Sequence, residues 1–455
     1  MQRLNNESPQ STTIQELCAE YRRNNAITRE QFERHDVKRG LRNADGTGVM
    51  AGLTHVCNVH GYLIDDGDKV PDEGRLTYRG INIEEIAAGC RAEGRFGFEE
   101  VVWLLIFGKL PNQRQYDRIC GLLYDNRELP EYFPEDMILK APSRDVMNKL
   151  ARSVLALYSY DDDPEDPSLE NNMRQGISLI ARMPAIMAYS YQVKRRHFDK
   201  VSMFFHPFEP GHCTAEAILN ALRPDRQFTR AEAQLLDLCM MLHAEHGGGN
   251  NSTFTTRVLT SAGTDIYSAI SAAVGSLKGV RHGGANHRVR QMMDDIMAHV
   301  ADWADEEEVG RYLEKILRGE AADGSGLIYG MGHAIYTLSD PRAVMLKSQA
   351  KTLAEERGYG KKLALYELVE KLSPQAFLRV TGNEKVISAN VDFYSGLIYE
   401  MLGIPEDLFT PMFAVSRIAG WCAHRIEELT TGGRIMRPAY RALPVRQGYV
   451  PLAQR

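Results

Sequence analysis

Three glycine-rich segments of the sequence each contain a histidine and lie between stretches with helical periodicity. His246 precedes three glycines, His282 precedes two glycines, and His333 follows Gly332. Glycine allows positive φ angles and a close approach of the backbone to a ligand. Each segment could therefore present an imidazole and several amide N–H groups to a substrate. The three segments are the first candidates for a functional site.

A purely structural role is the simpler interpretation of each histidine. A single histidine at a helix end is more often a cap or a satisfied polar group than a catalyst. His243 and His246 could form half of a metal site, as in a metal-dependent hydrolase, but zinc needs at least a third ligand and no H-E-x-x-H motif is present. The glycines match neither G-x-G-x-x-G nor a Walker loop, so these motifs give no support for nucleotide binding. We therefore expect no metal site here.

Several further motifs follow the histidine segments in order along the chain. They are Gly332-His333, Asp340-Pro341-Arg342, Asn390-Val391-Asp392, Ala414-Val415-Ser416-Arg417 and Arg437-Pro438. Together with His246-Gly-Gly-Gly-Asn250 and His282-Gly-Gly-Ala-Asn286, they resemble the citrate synthase family. The resemblance runs from about Val56 to the end of the chain. A chance match of so many motifs in the same order and spacing is not expected.

The resemblance implies an enzyme that joins the methyl carbon of acetyl-CoA to the keto carbon of oxaloacetate and needs no metal or redox cofactor. Such a reaction removes a proton from a carbon next to a thioester, which calls for a carboxylate base and an opposing hydrogen-bond donor. By resemblance the base is Asp392, the donor is a neutral His282, and His333 is the donor or acid at the ketone. A catalytically silent helical protein, which is another interpretation, would be expected to lack one of these three residues.

The two carboxylates of oxaloacetate are best held by the planar fork of arginine. Arg342 and Arg417 match the family's carboxylate-binding arginines, and His246 matches an additional polar contact. Arg417 lies in an otherwise apolar helical stretch, where an unpaired charge would be costly. Arg437 matches an arginine that the family supplies from the neighbouring subunit, so the resemblance implies a homodimer.

The sequence also departs from familiar relatives. Many bacterial members have arginine and lysine where this chain has Ala334 and Thr337, and both are thought to contact CoA. His287 stands where glutamate is common. These differences leave the details of CoA binding open. The nearest alternative function is therefore 2-methylcitrate synthase, which uses propionyl-CoA and shares every motif; one methyl group discriminates only modestly between substrates.

Composition excludes several classes of partner. The chain has 455 residues, of which 44% are hydrophobic and 25% charged, as in ordinary globular proteins. A net charge of -6 gives no reason to expect nucleic acid binding. The longest apolar run, Val101–Phe107, is too short to cross a membrane, and Met1–Thr13 lacks the apolar region of a secretory signal. Seven scattered cysteines without a C-x-x-C pair favour a cytoplasmic protein over a disulfide framework.

Helical signals dominate the elements that must position these residues. Thr229 and Glu232 form a capping box before an apolar stripe, and Ser143 is predicted to cap the helix that contains Val146, Leu150, Val154 and Leu157. The only convincing strand region is Val56–Tyr78, and Asp161–Asn172 is predicted to be a loop. The prediction is a mainly α fold. The family resemblance adds a large helical domain (1–282 and 399–455) and a small one (283–398), with the site in the cleft.

Overall fold

The computed structural model describes residues 9–43 and 45–455, with side chains from residue 13 onward. Helices account for 58% and strands for 6% of the structure, which confirms the predicted mainly α fold. The beginning of the polar segment 1–13, where we expect no secretory signal, lies outside the described residues. No helix among the residues that the structure describes is long and apolar enough to span a membrane.

The regular elements are numbered in chain order. The helices are α1 Pro9–Asn24, α2 Arg29–Arg34, α3 Ile83–Ala92, α4 Phe98–Phe107, α5 Gln113–Asp125, α6 Val146–Ala156, α7 Leu169–Lys194, α8 Thr214–Leu222, α9 Arg230–His243, α10 Asn251–Ser261, α11 Ile266–Lys278, α12 Ala285–His299, α13 Glu306–Leu317, α14 Pro341–Glu356, α15 Gly360–Thr381, α16 Val391–Met401 and α17 Phe409–Thr430. The strands are β1 Cys57–Asp65, β2 Asp68–Tyr78 and β3 Ile81–Asn82. Short 3₁₀ or π turns are Arg39–Leu41, Pro134–Leu139, Leu157–Tyr160, Arg195–Asp199, Glu406–Leu408 and Leu452–Gln454.

The chain forms two compact units. One consists of residues up to 51 together with 437–455, and it contains the helices α1 and α2 and a C-terminal segment whose one regular element is the turn Leu452–Gln454. The other consists of residues 52–436 and contains the remaining α-helices and the sheet. The division into a large domain (1–282 and 399–455) and a small domain (283–398) stays a prediction.

Helix starts follow side-chain capping. The capping box of Thr229 and Glu232 is present at the start of α9, as predicted. Helix α6 is capped by Asp145 and not by Ser143, whose hydroxyl instead accepts the N–H of Asp145 at 3.2 Å. The predicted loop 161–172 is wrong at its end, because Ser168 caps α7 and the helix begins at Leu169.

Helix α17 lies at the centre of the unit of residues 52–436. It packs against α4, α7, α9, α10 and α11, and nearly all of its side chains are buried. The buried side chains of α17 are mostly apolar, but they also include Arg417, His424 and Arg425. Arg417 thus lies deep in the protein, and its buried charge has to be explained by what it contacts.

The strands β1 and β2 form an antiparallel hairpin with Cys57 opposite Tyr78. The hairpin packs against the segment 335–339, which follows His333. A Cβ atom on Gly74 would lie 2.1 Å from the carbonyl oxygen of Ser339, so only glycine permits this approach. The hydroxyl of Thr337 donates to backbone carbonyls of β1 and β2 and accepts the N–H of Asp72 at 3.1 Å. The hairpin thus fixes the segment that follows His333.

Candidate active site

His333 and Asp392 are held close together by backbone pairing. Two hydrogen bonds, of 2.7 and 2.8 Å, join the segment 330–332 to the segment 388–390, directly before α16. Gly330 has a φ of +78°, and a Cβ there would lie 2.8 Å from the ring of Phe393. Glycine is therefore required at this position.

The ring of His333 has a defined acceptor atom. Its Nδ1 accepts the backbone N–H groups of Ile335 and Tyr336, both at 3.1 Å. In the neutral ring the proton consequently resides on Nε2, because the tautomer is set by the bonds of the other nitrogen. His333 thus has an Nε2–H group as its hydrogen-bond donor, and its ring lies edge-on to that of His246 at 5.1 Å.

His282 lies in the turn between α11 and α12 and is half-buried. Its Nε2 is 3.1 Å from the hydroxyl of Ser252. The oxygen of that hydroxyl accepts the indole N–H of Trp421 at 3.2 Å and lies 2.9 Å from Oδ1 of Asn250. Burial, together with the positive charge of Arg417, lowers the pKa of His282 to about 4. The imidazole is therefore neutral at physiological pH.

Asp392 is the second residue of α16, and its N–H is bound by the cap residue Asn390 at 3.0 Å. Burial raises the pKa of Asp392 to about 6; the charge of Arg342 opposes this shift, and the charge of Asp340 adds to it. A carboxylate with this pKa is still ionised at neutral pH and is a stronger base than an ordinary aspartate.

The two arginines of the site differ in their partners. Arg342 is 3% exposed and donates to Asp340 through Nε at 3.0 Å and Nη2 at 2.7 Å. Arg417 is 1% exposed and donates through Nε to the carbonyl of His243 at 2.5 Å. The Nη1 atom of Arg417 has no partner among the described residues. A buried guanidinium with an unused donor is suited to bind an anion.

His246 lies in the loop after α9 and is buried. Burial, followed by the charges of Arg342, His333 and Arg417, lowers the pKa of His246 well below its ordinary value, so the ring is neutral. Its Nε2 has no hydrogen-bond partner among the residues that the structure describes. His246 can therefore offer one more polar contact to a ligand held by the arginines.

Six of the seven predicted site residues lie in the unit of residues 52–436, close enough for several of them to shift one another's pKa. The six are His246, His282, His333, Arg342, Asp392 and Arg417. The seventh, Arg437, lies in the unit of residues up to 51 and 437–455, in a segment without regular secondary structure, and its side chain is exposed. Its predicted role in a neighbouring subunit stays a prediction.

Sequence reasoning assigned no role to the residues that support these six. Ser252 contacts His282 and Asp340 contacts Arg342, whereas Trp421 acts one step away by donating its indole N–H to Ser252. For Asp340 a signal existed, because an aspartate before a proline is a common helix start. For Trp421 no local signal existed, because its partner lies 169 residues away in sequence. No three histidine, cysteine, aspartate or glutamate side chains in the described ranges gather into a metal site.

Comparisons with known proteins agree with the motifs. The family model for the C-terminal domain of citrate synthase matches residues 44–439. The citrate synthase of Synechocystis sp. is 33% identical over 421 residues, which cover 90% of this chain and 92% of the relative. The 2-methylcitrate synthase 1 of Corynebacterium glutamicum is 30% identical over 438 residues, covering 92% and 98%.

Solved structures show the same fold. The citrate synthase of Thermoplasma acidophilum, determined as a ternary complex with carboxymethyl coenzyme A and oxaloacetate, superposes with a TM-score of 0.74 at 25% identity, over 92% of this chain and 99% of the other. The citrate synthase of Thermotoga maritima gives a TM-score of 0.70 at 27% identity, over 90% and 98%.

Proposed function

This chain belongs to the citrate synthase family, and we propose that it condenses acetyl-CoA with oxaloacetate and hydrolyses the resulting citryl-CoA to citrate and CoA. The observation that carries the proposal is the composition of the site. A half-buried carboxylate with a pKa of about 6, Asp392, lies near two buried arginines and neutral histidines. This set matches the needs of carbon-acid chemistry on a dicarboxylate.

In the first step Asp392 removes a proton from the methyl group of acetyl-CoA. Negative charge then develops on the thioester oxygen, and a neutral His282 donates a hydrogen bond to it. The low pKa of His282 supports this role, since an uncharged donor stabilises the enolate-like oxygen without transferring its proton outright.

In the second step the nucleophilic carbon attacks the keto carbon of oxaloacetate, and the new carbon–carbon bond turns the ketone oxygen into an alkoxide. His333 donates to that oxygen through Nε2–H, the donor left by the two backbone N–H groups that occupy its Nδ1. Arg342 and Arg417 hold the two carboxylates, and Nε2 of His246 adds a further contact.

In the last step water attacks the citryl thioester and CoA leaves as the free thiol. Every step moves a proton or an acyl group, so the scheme includes no redox cofactor. We propose that a cleft between a large and a small domain closes on oxaloacetate and keeps water out until the bond has formed. We also propose a cytoplasmic homodimer in which Arg437 completes the partner's site; the seven unpaired cysteines support a reducing compartment.

The test is release of free thiol with oxaloacetate and a panel of acyl-CoA thioesters. We expect rapid release with acetyl-CoA, and none when oxaloacetate is omitted or replaced by malate, which lacks the ketone. A kcat/KM for propionyl-CoA above that for acetyl-CoA would favour 2-methylcitrate synthase instead, the activity named for a relative of similar identity. No oxaloacetate-dependent release with any thioester would contradict both functions.

A further inference from the structure

Directly before His246 lies a fully buried carboxylate. Glu245 accepts the backbone N–H of Gly247 at 2.5 Å and the Nε2–H of His424 at 3.0 Å. Its side chain thus connects the residue before His246 to the residue after it. Glu245 has no role in the proposed reaction steps. Burying a carboxylate costs free energy unless the group is paired, so its contacts need an explanation.

His424 is also hydrogen-bonded to an arginine. Its Nδ1 accepts two N–H groups of Arg257, from Nε at 3.0 Å and from Nη2 at 2.7 Å. Because Nδ1 acts as acceptor, the ring donates through Nε2–H, which faces Glu245. Arg257 in turn donates to Glu427 and, at 2.8 Å, to Glu428. We call Glu245, His424, Arg257, Glu427 and Glu428 the Glu245 network.

Helix α17 carries His424, Glu427 and Glu428, and a glycine on the same helix leaves room for Glu245. A Cβ on Gly420 would lie 2.1 Å from Oε2 of Glu245 and 2.5 Å from the carbonyl of Ala244. The N–H of Gly420 donates to that same carbonyl at 3.2 Å. Gly420 is one helical turn from Arg417, on the same helix. The loop that carries His246 is therefore docked next to the arginine proposed to bind oxaloacetate.

We infer that the Glu245 network is a positioning device that holds His246 at a fixed place relative to Arg417, so that both meet the dicarboxylate substrate. The network touches no substrate itself; it acts through these two residues, and the inference rests on the proposed function. The network fixes the positions of the carboxylate-binding groups and does not act on Asp392. Its loss therefore weakens oxaloacetate binding more than it slows the chemical steps.

The test compares two substitutions of His424. His424→Gln keeps an acceptor for Arg257 and a donor for Glu245, whereas His424→Leu removes both. We expect His424→Leu to weaken oxaloacetate binding, measured by calorimetry, by about 10-fold or more, with kcat at saturation within about 3-fold of wild type. His424→Gln should restore binding to within about 3-fold. His299→Leu, at the exposed end of α12, serves as the control and should match wild type.

A second readout does not depend on the ligand. Backbone hydrogen exchange in residues 244–250 should be faster in folded His424→Leu than in wild type, and restored in His424→Gln. If His424→Leu does not fold, Glu245→Gln, which keeps the shape and removes the charge, replaces it in both measurements. Unchanged binding and exchange in a folded variant would overturn the inference, as would equal defects in the Leu and Gln variants. Failure of wild type to bind oxaloacetate would instead overturn the proposed function, and the exchange data would still decide whether the network holds the loop.

Discussion

Asp340 and Arg342 form a buried ion pair in which Nε and Nη2 of the arginine lie 3.0 and 2.7 Å from the two carboxylate oxygens. The same carboxylate accepts the N–H of Val391 at 3.1 Å, at the start of the helix that carries Asp392. One acidic side chain thus connects a proposed substrate-binding arginine to the proposed base. Its negative charge also contributes to the raised pKa of Asp392.

This connection predicts a shift in the pH profile of Asp340→Asn. Removing the negative charge lowers the pKa of Asp392, because that charge disfavours ionisation of the neighbouring carboxyl. The acid limb of kcat/KM should therefore move to lower pH than in wild type. Asp323→Asn, on the surface, should leave the limb in place. Since breaking a buried pair costs roughly 3–5 kcal/mol, circular dichroism must first show that the variant is folded. A limb that stays or moves to higher pH would contradict the electrostatic link.

Asp392 itself should determine the acid limb in wild type. With its pKa raised to about 6, the carboxylate becomes protonated as the pH falls through that value, and the base is lost. We expect kcat/KM to fall tenfold per pH unit below this point. Asp392→Asn should nearly abolish CoA release and leave oxaloacetate binding largely intact. A variant that kept more than about a tenth of wild-type kcat would rule out Asp392 as the base.

His282 and His333 are predicted to serve different oxygens. Each replaced by alanine should lower turnover by about 10²-fold or more, because each donates to a developing oxyanion. Oxaloacetate affinity, measured by calorimetry, should decline more in His333→Ala, since only His333 is assigned to the ketone. Equal losses of affinity in the two variants would contradict this division of roles.

Six of the predicted site residues lie near one another in the structure, but the residues that support them were not predicted. His282, His333 and Asp392 were singled out because their motifs resemble those of the citrate synthase family in order and spacing. The contact between Glu245 and His424 spans 179 residues, and that between Ser252 and Trp421 spans 169. Neither partner carries a local signal that names the other. Such buried pairings are decided when the helices pack, which no single-segment pattern encodes.

The same distinction holds for the fold. The start of α9 followed from Thr229 and Glu232 because both halves of a capping box are adjacent in sequence. The cap of α6 was misassigned because Ser143 and Asp145 are both good caps, and only the backbone geometry selects one. The acid- and proline-rich segment before α7 concealed a third cap, Ser168.

The contact between the β1–β2 hairpin and the segment after His333 predicts a strong effect of Gly74→Ala. The new Cβ would lie 2.1 Å from the carbonyl oxygen of Ser339, so the backbone must move. We expect overpacking to lower the free energy of unfolding by about 1–3 kcal/mol. We also expect kcat/KM to decrease by at least about 10-fold, because His333 is displaced. Gly121→Ala, on the exposed face of α5 with open space around it, should instead stabilise by about 0.5–1 kcal/mol. Wild-type activity in Gly74→Ala would show that the hairpin does not position the site.

Arg437 is predicted to complete the active site of a neighbouring subunit. Two arginines balance the two carboxylates of oxaloacetate, but the citrate formed has a third, for which another guanidinium is a fitting partner.

The test is complementation between two variants, Arg437→Ala and Asp392→Asn. We expect the homodimer of each variant alone to be nearly inactive. When the two are mixed and exchange subunits, each mixed dimer holds one site with both defects and one with neither. Half of the dimers are then mixed and half of their sites work, so about a quarter of wild-type activity should return at statistical exchange. Mass spectrometry verifies that mixed dimers have formed. If they are present and activity stays at the level of the separate variants, Arg437 does not act in the partner's site.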